Sequence, residues 1–135
     1  MTTQSVFINL PVKDLARSIA FFTELGYSFN AQFTDEQATC MVISDTIFAM
    51  LLTHKRFADF TRKPIADATK TTEVLIALSA ESREAVHQLV EKALAAGGKE
   101  ASDPQDHGFM ISRSFEDPDG HIWEIVWMDP NFVQK

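Results

Sequence analysis

One strand-and-helix pattern written twice limits how this chain can fold more than any other feature. The segment VFINLPVKDL places Val6, Ile8, Leu10 and Val12 at alternate positions, the spacing that gives an extended strand one apolar face. An offset of 68 residues carries Val6 to Val74, where VLIALSAES repeats the pattern with Val74, Ile76 and Leu78. Each strand leads into a helix. Asp14 can cap the first, whose Leu15, Ile19, Phe22 and Leu25 form one stripe before Gly26 stops it. Ser82 can cap the second, with Val86, Leu89, Val90, Ala93 and Leu94 on its stripe and Gly97-Gly98 at its end.

Further strand-like segments follow each helix. In the first half they span about 28–34, 38–43 and 47–53, separated by Asp35-Glu36-Gln37 and Ser44-Asp45. In the second half a short strand is expected at 99–102, a turn-rich loop at 103–108, and two longer strands at 109–116 and 121–127. The stretch HKRFADFTRKPIADATKTT has no clear period and reads as a connector, with one helical turn around Phe57 to Phe60. The expected class is therefore α+β, one domain of two βαβββ modules: about 5–54, a connector at about 55–71, and about 72–128. A helix covers one face of such a module's sheet and leaves the other bare. Two modules side by side can curve their bare faces into a mixed sheet around a cleft.

Composition excludes several classes of function. A chain of 135 residues with 45% hydrophobic and 23% charged residues is ordinary for a globular domain. Its net charge of -7 opposes binding to nucleic acid or anionic membranes, both of which require a basic patch. The apolar runs are too short to span a bilayer, and MTTQSVFINL has no basic start followed by an apolar block, so a cytoplasmic location is expected. Cys40 is the only cysteine, which excludes an internal disulfide framework and a thiolate-rich metal cluster.

The stretch FEDPDGHIWEIVW then raises a question, because its closing strand carries a carboxylate in the middle. Glu124 shares a face with Ile122 and Val126, while His121, Trp123, Ile125 and Trp127 share the other. The doubled βαβββ pattern, the opening LPVKDLARSIAFFTELG and the closing FEDPDGHIWEI resemble the vicinal oxygen chelate superfamily of glyoxalase, bleomycin-resistance and extradiol-dioxygenase proteins. The resemblance covers roughly residues 5 to 128, and the closing motif is its most specific part.

That resemblance implies a glyoxalase-like fold, a small-molecule ligand and a homodimer. In its metal-dependent members each module gives one metal ligand from its first strand and one from its last. Carried over, those positions fall on Phe7, Met50, Leu75 and Glu124. Only Glu124 matches the family motif, and it is a metal ligand here only if a metal is bound. Phenyl and isobutyl groups have no lone pair, and a thioether is a poor donor to hard cations. The reading is a degenerate metal site with no cofactor expected, although a shift in register would bring Asn9, His54 or Ser79 into play and leave a divalent metal possible. The alternative is a metal-dependent lyase or isomerase of the glyoxalase type.

Without a metal, Glu124 is the candidate catalytic residue, able to act as a general acid or base or to clasp a cation. Its structural alternative is an ion pair with Arg113 on the preceding strand. Phe7, Asn9, Met50, Leu75, His107 and Arg113 are candidate ligand contacts, His107 because its loop can reach a cleft mouth. Phe7, Met50 and Leu75, together with Phe29, Phe33, Phe48 and Phe109, otherwise read as core.

Overall fold

The computed structural model describes residues 2–132; Met1 and residues 133–135, which the expected domain also included, lie outside the described residues. The fold is α+β and divides into two units, the first ending at Asp67 and the second starting at Ala68, with three helices and two mixed sheets among the described residues.

In the first unit, β1 (Val6–Val12) leads through α1 (Leu15–Glu24) to β2 (Ser28–Asn30), β3 (Ala38–Val42) and β4 (Ile47–Thr53). The sheet order is β1-β4-β3-β2, so the first strand lies parallel beside the last and the other pairs are antiparallel. Alternation decides the faces: Leu10 and Val12 are buried with Met41, Ala49 and Leu51, while Phe7 is 55% exposed. The Asp14 side chain accepts a hydrogen bond from Arg17 N at 3.1 Å, as an N-cap should. A ten-residue helix is marginal alone, so α1 is held by burial of Leu15, Phe21, Phe22 and Leu25, each contributing about 2 kcal/mol at most.

The expected strand at 28–34 is shorter than its apolar pattern suggested. After Asn30 the chain turns into a single 3-10 turn, Ala31–Phe33, because the Asn30 side chain accepts from Gln32 N at 2.9 Å and offers the backbone an alternative to the ladder. The connector holds a short helix, α2 (His54–Phe57), capped by Thr53, and then a 3-10 turn, Ala58–Phe60.

The second unit repeats the plan. It has β5 (Leu75–Ser79), α3 (Arg83–Ala95), β6 (Lys99–Glu100), β7 (Gln105–Asp106), β8 (Met110–Glu116) and β9 (Ile122–Met128), so the loop expected at 103–108 contains a two-residue strand. The order is β5-β9-β8-β6, with β7 pairing β8, and again the first and last strands are parallel neighbours. Ser82 caps α3 by accepting from Ala85 N at 3.0 Å, and Val86, Val90 and Ala93 bury its inner stripe against β8 and β9.

The turn Asp117-Pro118-Asp119-Gly120 is built around a buried carboxylate. Asp117 Oδ1 accepts from Asp119 N at 2.9 Å and His121 N at 3.1 Å, and Oδ2 accepts from Trp123 Nε1 at 3.0 Å. Burial raises the Asp117 pKa above its ordinary value, although the charge of His121 and the hydrogen bonds from Trp123 and the Asp119 N–H pull it down. Gly120 closes the turn at φ +87, and a Cβ there would lie 2.7 Å from the carbonyl oxygen of Ala68. No helix among the described residues is long and apolar enough to cross a membrane.

Candidate functional site

Pairing of the first strand with the last brings Phe7, Asn9 and Met50 onto one bare face of the first unit, and Leu75 and Glu124 onto the corresponding face of the second. In the first unit Asn9 lies opposite Met50, and Phe7 opposite Phe48, with the two rings stacked at 4.8 Å. In the second unit Ala77 lies opposite Glu124 and Leu75 opposite Ile122. The two repeat offsets thus agree in register: 68 residues take Asn9 to Ala77, and the 74 residues from Asp45 to Asp119 take Met50 to Glu124. Glu124 and Met50 are structurally equivalent positions.

Glu124 is half-buried, with Ala77 beside it on one strand and Ser114 on the other. Both neighbours are small, so the side chain has room above the sheet. Among the described residues no hydrogen bond or ion pair reaches its carboxylate. Ser114 is already engaged with Ser102, Oγ to Oγ at 2.9 Å.

Arg113 is not the partner of Glu124. It lies opposite Ile125 and therefore on the other face, under α3, where its guanidinium donates to Glu91 at 3.0 Å and Glu100 at 3.3 Å and meets His87 Nδ1 at 3.2 Å. The one-residue alternation of a strand separates the two side chains. Arg113 is 8% exposed and bonded to α3 and β6, so the residue belongs to their packing on β8. His107 is exposed after β7, its ring 6.3 Å from that of Phe109.

A groove of about 440 Å³ opens on the bare face of the first unit. Met50, Leu52 and Ala38 supply apolar floor, and Asn9, one of the candidate contacts, lies beside Met50. Phe33 and Phe60 line it with rings that are 59% and 73% exposed. Phe33 is therefore not core, and neither are Phe7 at 55% nor Leu75 at 56%, because all of them lie away from the helix-covered faces. Arg56 also lines the groove. Sequence reasoning missed it and Phe60, since the connector carries no period that would mark either.

The donor set does not fit a divalent transition metal. The four family positions offer one carboxylate, one thioether and two hydrocarbons, and no three His, Cys, Asp or Glu side chains gather among the described residues.

Comparison with known proteins agrees with this architecture. A family model described as bleomycin resistance protein-like N-terminal matches residues 4–44. No curated protein sequence matches the chain. Among solved structures, hypothetical protein SA1046 from S. aureus is similar over 94% of this chain and 95% of its own, at 29% identity and a TM-score of 0.78. A glyoxalase-related enzyme from Fulvimarina pelagi aligns over 92% of this chain and 87% of its own, at 21% identity and a TM-score of 0.77. The fosfomycin resistance protein FosX from Listeria monocytogenes aligns over 97% and 98%, at 20% identity and a TM-score of 0.68. The fold is thus glyoxalase-like. The family model carries the bleomycin-resistance-like resemblance over residues 4–44, and the solved structures extend the glyoxalase-like fold across the rest of the chain.

Proposed function

We propose that this chain is a small-molecule-binding protein of the glyoxalase and bleomycin-resistance kind, working with a degenerate metal site. The observation that carries the reading is the residue set at the four family positions, Phe7, Met50, Leu75 and Glu124, in which only one side chain offers a hard donor. The groove on the first unit supports it, since its volume of about 440 Å³ lies within the range of roughly 300–1,000 Å³ usual for ligand pockets. Glu124 is the candidate acid or base of the second unit, because its carboxylate is half-buried and no hydrogen bond or ion pair reaches it among the described residues. The protein acts as a homodimer, a reading supported by the exposed apolar residues of both bare faces.

The deciding experiment is elemental analysis of protein purified without chelator, followed by thermal unfolding with nickel, zinc, iron or manganese added back. The expected result is no stoichiometric metal and no stabilisation. About one metal per chain, lost on Glu124→Ala, would overturn the reading and favour a metal-dependent lyase or isomerase.

A further inference from the structure

The groove of the first unit is unbalanced in its hydrogen-bonding capacity, and the imbalance specifies a ligand. One oxygen of its carboxylate, Asp35, is already committed: Oδ1 accepts from Gln37 N at 2.8 Å and Ala38 N at 3.0 Å, holding the turn before β3, while Oδ2 stands 3.9 Å from Arg56. Thr34 is committed too, its hydroxyl donating to the Asn30 carbonyl at 2.8 Å and meeting the Thr39 hydroxyl at 2.8 Å. Arg56 differs from both. Its guanidinium stands 3.9 Å from Asp35 and 3.9 Å from Asp59, beyond hydrogen-bond range, and donates to nothing among the described residues.

Charge alone does not oppose an anion here as strongly as the net charge suggests. The Asp35 and Asp59 side chains are 59% and 69% exposed, so water screens them, and ion pairs at this distance contribute little. Arg56 is the most covered of the three at 35%. A planar fork of unused N–H donors matches a carboxylate, which can bind it through two parallel short bonds. Phe33 and Phe60, with Met50 and Leu52 of β4, provide the apolar and aromatic surface for the rest of the molecule.

We infer that the groove binds an aromatic carboxylate, with Arg56 holding its head and Phe33 and Phe60 covering its ring. The inference rests on the small-molecule-binding reading above and adds the ligand class. The test uses the full chain, isotope-labelled, with three matched probes: phenylacetate, phenylacetamide and phenethylamine. Phenylacetate is expected to shift the Arg56 side-chain and Asn9 amide resonances in a saturable manner, and Arg56→Gln to weaken it about tenfold or more, with Arg56→Lys intermediate because it keeps the charge but loses the fork. Unchanged thermal unfolding of the variants shows that they fold. If the amide or the amine binds the groove as well as the carboxylate does, the ligand class is wrong while the binding reading stands. If none of the three shifts any groove resonance, the groove is not the binding site and this inference falls, while the reading it rests on stands or falls with the metal analysis.

Discussion

Glu124 stands between Ala77 and Ser114 with no partner for its charge among the described residues, whereas Arg113, one strand away, holds two carboxylates on the opposite face. The two residues therefore answer differently to substitution. Glu124→Gln strands no buried cation and should leave stability within about 1 kcal/mol of wild type while weakening ligand binding or turnover. Replacing Glu91 and Glu100 together by Gln removes both carboxylates from the buried Arg113 and should cost about 3 kcal/mol. Denaturant melts of both variants check this, and a large loss in Glu124→Gln alone would make Glu124 structural. Gly120 gives a second contrast. Its positive φ and the 2.7 Å approach to the Ala68 backbone add up, so Gly120→Ala should lose about 3 kcal/mol. Gly97, at φ +108 with nothing within 4 Å, should lose only about 1 kcal/mol as Ala, measured the same way.

Elements with a strong period were legible from residues alone. β1 and β4 fall where their alternation puts them, and the caps Asp14 and Ser82 act as their side chains suggest, because in each case the signal is local. β2 was overextended, since the Asn30 side chain ends it through a hydrogen bond that no hydropathy pattern records. The candidate site was legible in its strand positions and illegible in its walls: Arg56, Phe33 and Phe60 meet Asn9 and Met50 only through the fold. The pair Arg83 and Asp106 was missed for the same reason. Arg83 reaches from α3 to Asp106 in β7 and to the Gly108 carbonyl at 3.2 Å, and its hydrogen bond lowers the Asp106 pKa, helped by the Gly108 N–H. A folded pKa below the unfolded value means that this contribution is fully present above the ordinary carboxylate range and is lost as pH falls through the lowered value. Asp106→Asn should therefore narrow the difference in unfolding free energy between neutral and strongly acid solution, as paired melts can read.

At the scale of the whole molecule, equivalent positions of the two units leave the same kind of surface uncovered. Val6 and Val74 are 46% and 51% exposed, and Phe7 and Leu75, the next residue in each repeat, are 55% and 56% exposed. Apolar side chains that recur at matched positions and stay half in water are the composition of surface that a second copy buries. A stable contact of this kind needs roughly 1,000 Å² or more, which single residues cannot provide but strand-end clusters with their neighbours can. The expected state at micromolar concentration is a dimer, with light scattering giving twice the chain mass. Phe7→Glu combined with Leu75→Glu places like charges in that surface and should yield a folded monomer, since neither residue packs in a core and each unit's buried faces are untouched. A wild-type monomer mass would remove the dimer, and a double variant that remains dimeric would move the interface away from the starts of β1 and β5.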